Sequence, residues 1–170
     1  MEKSLKSIAT NYGLYLGLLS IIMLIIMYVF NMEKNWGISS ISFVFTVLIF
    51  VMGIKSLKSS NNNFLKLGEA IKVGLGIAAV GGLVSAIYTF IHYSYIQPEF
   101  VENIRQQSLE KMIEQSPNLT NEQMETATKM TNVFTSPFAM STFTLIGTLL
   151  LGIVISLISG LIMKKGETNT

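Results

Sequence analysis

The chain has 170 residues and a formal net charge of +2, and 50% of its residues are hydrophobic whereas only 13% are charged. A soluble domain carries about 25% charged residues, so this composition argues against a soluble fold. The small net charge, without a basic stripe, argues against nucleic acid as a partner, and the absence of cysteine excludes disulfides, thiolate metal sites and cysteine nucleophiles.

Four apolar segments are long enough to cross a bilayer, which takes about 20 residues of helix. They comprise residues 12–30, 37–54, 73–96 and 138–163. The first, second and fourth contain no Asp, Glu, Lys, Arg or His, and the third contains only His92. We therefore predict an all-α integral membrane protein, with residues 1–170 forming a single domain of four transmembrane helices surrounded by the lipid bilayer.

Lysine and arginine are concentrated in the segments that share a side of the membrane with the two predicted termini. Eight lie there, at Lys3, Lys6, Lys55, Lys58, Lys66, Lys72, Lys164 and Lys165. The other four are Lys34, Arg105, Lys111 and Lys129. Because cytoplasmic loops carry the excess of basic residues, we predict a multi-pass protein with its N-terminus and C-terminus in the cytoplasm.

The connection between the second and third spans, KSLKSSNNNFLKLGEAIK, begins polar and becomes amphipathic. We expect a flexible start, followed by a segment that lies along the inner headgroups. Glu69 is three residues from both Lys66 and Lys72, a spacing that allows a local ion pair on a helix. A gating or binding carboxylate is the alternative, so Glu69 is a candidate polar site residue.

The third span contains GLGIAAVGGLVSA, residues 74–86, whose start fits a loose dinucleotide-binding fingerprint. Such a fingerprint works only as a loop between a strand and a helix. Here the glycines lie within an apolar run that must be helical to satisfy its backbone in lipid. We therefore predict no cofactor at this segment.

Small residues instead recur at every fourth position of the spans. The third span has Gly74, Ala78, Gly82 and Ala86, the fourth has Thr144, Thr148, Gly152, Ser156 and Gly160, and the first has the pair Gly13 and Gly17. In lipid, where helices associate through close backbone approach, such rows are typical of helix–helix contacts. We predict that they pack helices together, either within one bundle or between subunits.

His92 is the only histidine, and it lies in the tyrosine-rich stretch YTFIHYSYIQP. Tyrosines at the end of a span are typical of the aromatic belt at a membrane interface. We interpret His92 as a belt residue or a structural hydrogen-bonding group. The alternative is a titrating group or ligand, so His92 is the second candidate polar site residue.

Residues 97–136 form the main predicted extramembrane feature, an extracytoplasmic helical hairpin. Pro98 suits the first position of a helix, Ser116-Pro117-Asn118 interrupts it, and Thr120 with Gln123 predicts a capping box. Each of the two predicted helices has an apolar stripe. The stripe of the first comprises Val101, Ile104, Met112 and Ile113, and that of the second comprises Met124, Ala127, Met130 and Phe134. The stripes can pair with each other, lie on the membrane, or contact a partner protein or a second copy through residues 98–134.

The chain resembles a known family of short bacterial four-helix membrane proteins, the domain-of-unknown-function family 4199. The resemblance rests on LGEAIKVGLGIAAVGGLVSAIYTFIHYSYIQPEF, on the Gln/Glu-rich helical segment after it, and on GTLLLGIVISLISGLIMKK. It implies a place in a bacterial cytoplasmic (inner) membrane. The family has no assigned activity, so the resemblance implies no catalytic residue.

We find no catalytic constellation in the sequence, and we predict no catalytic, cofactor-binding or metal-binding residues. The leading hypothesis is a non-enzymatic structural or accessory subunit whose outer helical hairpin contacts a partner. The alternative is a small oligomeric channel or transporter component, with a pore lined by Thr144, Thr148 and Ser156. A membrane enzyme that depends on His92 is the third possibility.

Overall fold

A computed structural model describes residues 2–32, 36–116 and 118–165, and in this part of the chain it contains helices and no strand. The helices are α1 (Glu2–Val29), α2 (Trp36–Ser60), α3 (Leu67–Ile91), α4 (Pro98–Gln115), α5 (Asn121–Phe134) and α6 (Pro137–Met163). A π-helical turn, His92–Ile96, continues α3. Two residues used in the sequence analysis, Lys34 and Pro117, lie outside the described residues.

Four of these helices are long and apolar enough to cross a membrane, which confirms the all-α fold class with four spans. The candidate spans are Ser4–Val29, Trp36–Ser60, Leu67–Ile96 and Pro137–Met163. Each is longer than the apolar segment recognised in the sequence, because a helix continues past the apolar residues for as long as its backbone hydrogen bonds do. The four apolar helices indicate a membrane protein.

The connection between α2 and α3 differs from the flexible segment expected from the sequence. Helix α2 continues to Ser60 and α3 begins at Leu67, so only residues 61–66 are not in an α-helix. Asn62 and Asn63 have positive φ angles of 52° and 63°, a conformation that asparagine tolerates better than most residues. Leu65 is fully buried and pairs its backbone with Lys165. The connection is therefore a compact turn.

The chain divides into two compact units, Met1–Ser85 with Leu145–Thr170, and Ala86–Thr144. The first unit holds the main hydrophobic core. Its fully buried side chains include Phe50 and Ile54 of α2, and Val73 and Ile77 of α3. In the most apolar 18-residue stretch of each span, half of the residues are buried in the third span, against 17% in each of the first two and 28% in the fourth. The third span is therefore the best-covered helix.

The second unit, Ala86–Thr144, contains the π-helical turn and the pair of helices α4 and α5, which contact each other. Pro98 occupies the start of α4, as predicted. The capping box of α5 is also confirmed, because the backbone N–H of Gln123 donates to Thr120 Oγ1 at 3.3 Å and the backbone N–H of Thr120 donates to Gln123 Oε1 at 2.9 Å. These local signals set where both helices begin.

Candidate functional site

The π-helical turn at residues 92–96 is the most unusual backbone feature of the second unit. It closes with a hydrogen bond from the backbone N–H of Gln97 to the carbonyl oxygen of His92 at 2.8 Å. Pro98 follows at once, and it restricts the backbone of the residue before it; Gln97 accordingly leaves the helical region, with φ −135° and ψ 57°. Because π-helical turns are rare and frequently lie at functional sites, this turn marks the candidate site.

The turn buries a polar side chain, since His92 is fully buried and Gln97 is 7% exposed. Their side chains join at 3.2 Å between His92 Nε2 and Gln97 Oε1. The amide oxygen only accepts, so the imidazole donates through Nε2. The π turn thus brings the side chains at positions 92 and 97 together, which the sequence did not predict.

Aromatic rings enclose this hydrogen bond. The His92 ring lies 5.6 Å from the ring of Tyr88 and 5.2 Å from that of Tyr93, measured between centroids. Tyr93 stacks in turn on Phe100 of α4 at 5.1 Å and 13°. Tyr95, by contrast, is 76% exposed. The tyrosines expected to form one belt therefore divide into the half-buried Tyr88 and buried Tyr93 beside His92 and the exposed Tyr95.

Glu69, the other candidate polar residue, is positioned at the opposite end of the third span and in the other compact unit. Its Oε2 atom accepts a hydrogen bond from the backbone N–H of Lys66 at 2.9 Å. Among the described side chains it forms no ion pair with Lys66 or Lys72, so the structure differs from the local ion pair that the spacing allows. Carboxylates in the first turn of a helix satisfy free N–H groups and oppose the positive end of the helix dipole, which makes Glu69 a cap of α3.

The small residues of α3 and α6 face each other in one antiparallel register. An added Cβ at Gly152 would lie 2.7 Å from Ala78 Cβ, and one at Gly160 would lie 2.8 Å from Ala70 Cβ. Gly82 lies opposite Thr148 in the same way, and Gly74 lies against the hydroxyl of Ser156. Along the contact, the residue numbers of α3 increase by four from pair to pair while those of α6 decrease by four. These contacts are within a single chain.

The hydroxyl of Ser156 is fully buried in this contact and donates to the carbonyl oxygen of Gly152 at 2.5 Å. The last member of the predicted α3 row, Ala86, and the first member of the α6 row, Thr144, lie in the second unit. There Ala86 is 9% exposed and Thr144 donates to the carbonyl oxygen of Met140 at 2.9 Å. The structure thus brings four α3–α6 pairs together in the first unit.

A second face of α3 contacts α1. Added Cβ atoms at Gly13 and Gly17 would each lie 2.6 Å from a side-chain carbon, of Val80 and Val84 respectively. Sequence reasoning missed the α3 members of this contact, Gly76 and Gly81, whose added Cβ atoms would lie 2.7 Å from Ala9 Cβ and 2.8 Å from Gly13 O. The signal was present in the pairs Gly74-x-Gly76 and Gly81-Gly82. Glycines one or two positions apart lie on different faces of a helix, so each of these pairs contacts two neighbouring helices.

The family model for DUF4199, a protein family of unknown function, matches residues 11–165. The chain belongs to this family. The match includes residues 11–29 of the first span, the other three spans and both α4 and α5, so the helix pair lies within the region that the family model matches. No curated protein and no solved structure matches the chain.

Apolar side chains on α5 of this DUF4199 protein remain exposed. Helix α5 buries Thr131 and half-buries Met124 and Ala127, whereas Met130 is 56% exposed and Val133 64% exposed. In the described part of the chain, no group of three or more His, Cys, Asp or Glu residues is placed to hold a metal ion. The site residues therefore offer hydrogen bonding and apolar contact.

Proposed function

We propose that this protein is a non-enzymatic accessory subunit of the bacterial cytoplasmic membrane. Its partner, a second membrane protein, binds the pair of helices α4 and α5 on the extracytoplasmic side. The single observation that carries the proposal is the exposed apolar row formed by Met130, Val133 and Phe134, which are 54–64% exposed. On a helix outside the hydrocarbon layer, exposed apolar rows of this kind mark contact surfaces.

The row occupies one side of an otherwise polar helix. Glu125 and Lys129 form an ion pair at 2.7 Å on α5, and Thr131 on another side is buried. Phe134 stacks on Phe143 of α6, with 6.3 Å between the ring centroids. More than half of the surface of each side chain in the row is nevertheless exposed, so the row is available to a partner.

The lysine distribution supports the proposed orientation. The parts of the chain outside the apolar segments on the predicted cytoplasmic side, residues 1–11, 55–72 and 164–170, contain eight of the twelve basic residues, and cytoplasmic loops carry that excess. A chain without cysteine allows a direct test with one introduced thiol. In intact cells, an impermeant maleimide is expected to label Ser116→Cys and to spare Ser59→Cys. Labelling of Ser59→Cys alone would reverse the orientation.

The packing of α6 supports an accessory role more than a pore. The side of α6 considered as a pore lining includes Ser156, which is fully buried against Gly74 of α3. Thr148, on the same side, lies opposite Gly82. A pore along this side requires α3 and α6 to separate, and the close contacts between their small residues oppose that separation.

A photo-crosslinking amino acid at Met130 tests the partner surface, and Asn132 is the matched control. Both positions are exposed and lie two residues apart, so they point about 200° apart around the helix. We expect a discrete protein adduct in cells from Met130 and none from Asn132. Lipid adducts alone from Met130, or equal protein adducts from both positions, would contradict the proposal.

A further inference from the structure

We propose that the second and third turns of α1 bind the headgroup phosphate of an anionic phospholipid. A depression of about 360 Å³ there is lined by Lys6, Ser7, Thr10 and Asn11. All four side chains are exposed, and they point away from the core that α1 forms with Ala9 and Leu16. Polar groups on the outer face of a membrane helix are costly within the hydrocarbon, so they indicate a position among water and lipid headgroups.

The length of α1 puts these residues at headgroup level. The helix has 28 residues and is therefore about 42 Å long, whereas the hydrocarbon layer is about 30 Å thick. About 12 Å of helix must extend beyond the hydrocarbon. The uninterrupted apolar run begins only at Tyr12, so the end that extends is the one that carries Lys6 and Asn11.

The lining residues have the chemistry that recognises a phosphate. Lysine supplies a positive charge with three donors, serine and threonine supply hydroxyl donors, and asparagine supplies an amide donor. Among the side chains that the structure describes, no acidic one lines the depression. Of the side chains described, none forms an ion pair with Lys6, since the two ion pairs are Arg105–Glu102 and Lys129–Glu125.

The donors of the depression are not used within the described part of the protein. Other hydroxyls in the spans donate to the carbonyl four residues earlier, as Ser20 does to Leu16 at 3.0 Å and Ser85 to Gly81 at 2.7 Å. Ser7, Thr10 and Asn11 have no such bond among the described residues. Their donors are therefore available to a ligand at the surface.

The same face of α1 continues with apolar residues, which favours a lipid over a water-soluble phosphate. Leu14 is 44% exposed and Leu18 53% exposed, and they follow Ser7 and Asn11 at helical spacing along one side. A phospholipid fits this order, because its phosphate meets the polar turns while an acyl chain lies along the leucines. A free phosphate or phosphate ester would use the polar end alone.

The test is native mass spectrometry of the purified full chain with phosphatidylglycerol or with phosphatidylcholine of identical acyl chains. We expect wild type to retain phosphatidylglycerol preferentially. A basic residue near an anionic surface contributes enough that Lys6→Gln should weaken phosphatidylglycerol binding about fivefold. Lys6→Arg should retain the binding, which also shows that the altered position still supports the fold.

Lys55→Gln is the matched control, because Lys55 is an exposed lysine near the end of α2 and does not line the depression. Equal losses in Lys6→Gln and Lys55→Gln, or equal retention of both lipids by wild type, would overturn the site. Millimolar glycerol phosphate distinguishes the two sources of phosphate. Failure to displace the lipid supports the phospholipid, and displacement at that concentration overturns it in favour of a soluble phosphate ester.

Discussion

The two compact units of the protein differ in the internal contacts that stabilise each of them. In the unit Met1–Ser85 with Leu145–Thr170, backbones approach closely at glycines and the buried side chains are mostly aliphatic. The unit Ala86–Thr144 contains a buried histidine–glutamine hydrogen bond and stacked aromatic rings. Close backbone packing is how helices associate in lipid. Short helices such as α4 and α5 are positioned instead by hydrogen bonds and helix caps. The first unit is therefore expected to tolerate added volume poorly, and the second to tolerate lost polar groups poorly.

The largest effect is expected from added volume in the α3–α6 contact. Gly152→Leu adds a side chain where even an added Cβ would lie only 2.7 Å from Ala78 Cβ. We expect about 3 kcal/mol of destabilisation from overpacking. Gly147→Leu on the same helix is the control, because nothing lies within 4 Å of its added Cβ. Chemical unfolding in detergent measures both. Similar stabilities for the two variants would refute the close packing.

In the second unit, the largest effect is expected from the loss of the buried hydrogen bond. His92→Leu fills a similar volume but removes the donor to Gln97 Oε1, at a cost of about 2 kcal/mol. Amide hydrogen exchange should accelerate in residues 92–115, more than in α1. Tyr95→Leu, at an exposed position of the same turn, should leave the exchange unchanged. An equal effect of both variants would argue that the turn responds to any substitution.

A smaller effect is expected at the start of α5. Thr120→Ala removes the hydroxyl that accepts from Gln123, and losing an N-cap costs about 1 kcal/mol. Thr126→Ala, at an exposed position within α5, should be neutral or slightly stabilising, because alanine favours a helix. Circular dichroism during thermal unfolding compares them. If Thr126→Ala is the less stable variant, the capping box does not limit this helix.

The smallest effect is expected at Glu69, in the first unit, and it separates capping from ion pairing. Glu69→Ala should destabilise by about 0.5 kcal/mol through loss of the N-terminal acceptor. Glu69→Gln retains an acceptor oxygen and should keep most of the stability in low and high salt. If Glu69→Gln and Glu69→Ala lose the same stability, and high salt removes the difference between both variants and wild type, the ion-pair interpretation is supported instead.

The sequence alone was sufficient for the number of spans, the start of α4 and the capping box of α5. These features depend on residues close together in the chain, namely long apolar runs, Pro98, and Thr120 with Gln123. The rows of small residues at every fourth position were also visible. Each of these signals is local, because helix formation and capping depend on neighbours within a few residues.

Only the tertiary structure decided which helix each row contacts. Gly74 and Gly76 look alike in the sequence, yet one faces Ser156 of α6 and the other Ala9 of α1. The turn at 92–96, the burial of His92 and the compact connection at residues 61–66 were likewise decided by packing. A repeat of small residues shows that a helix has a close neighbour, but the identity of that neighbour depends on contacts between segments far apart in the chain.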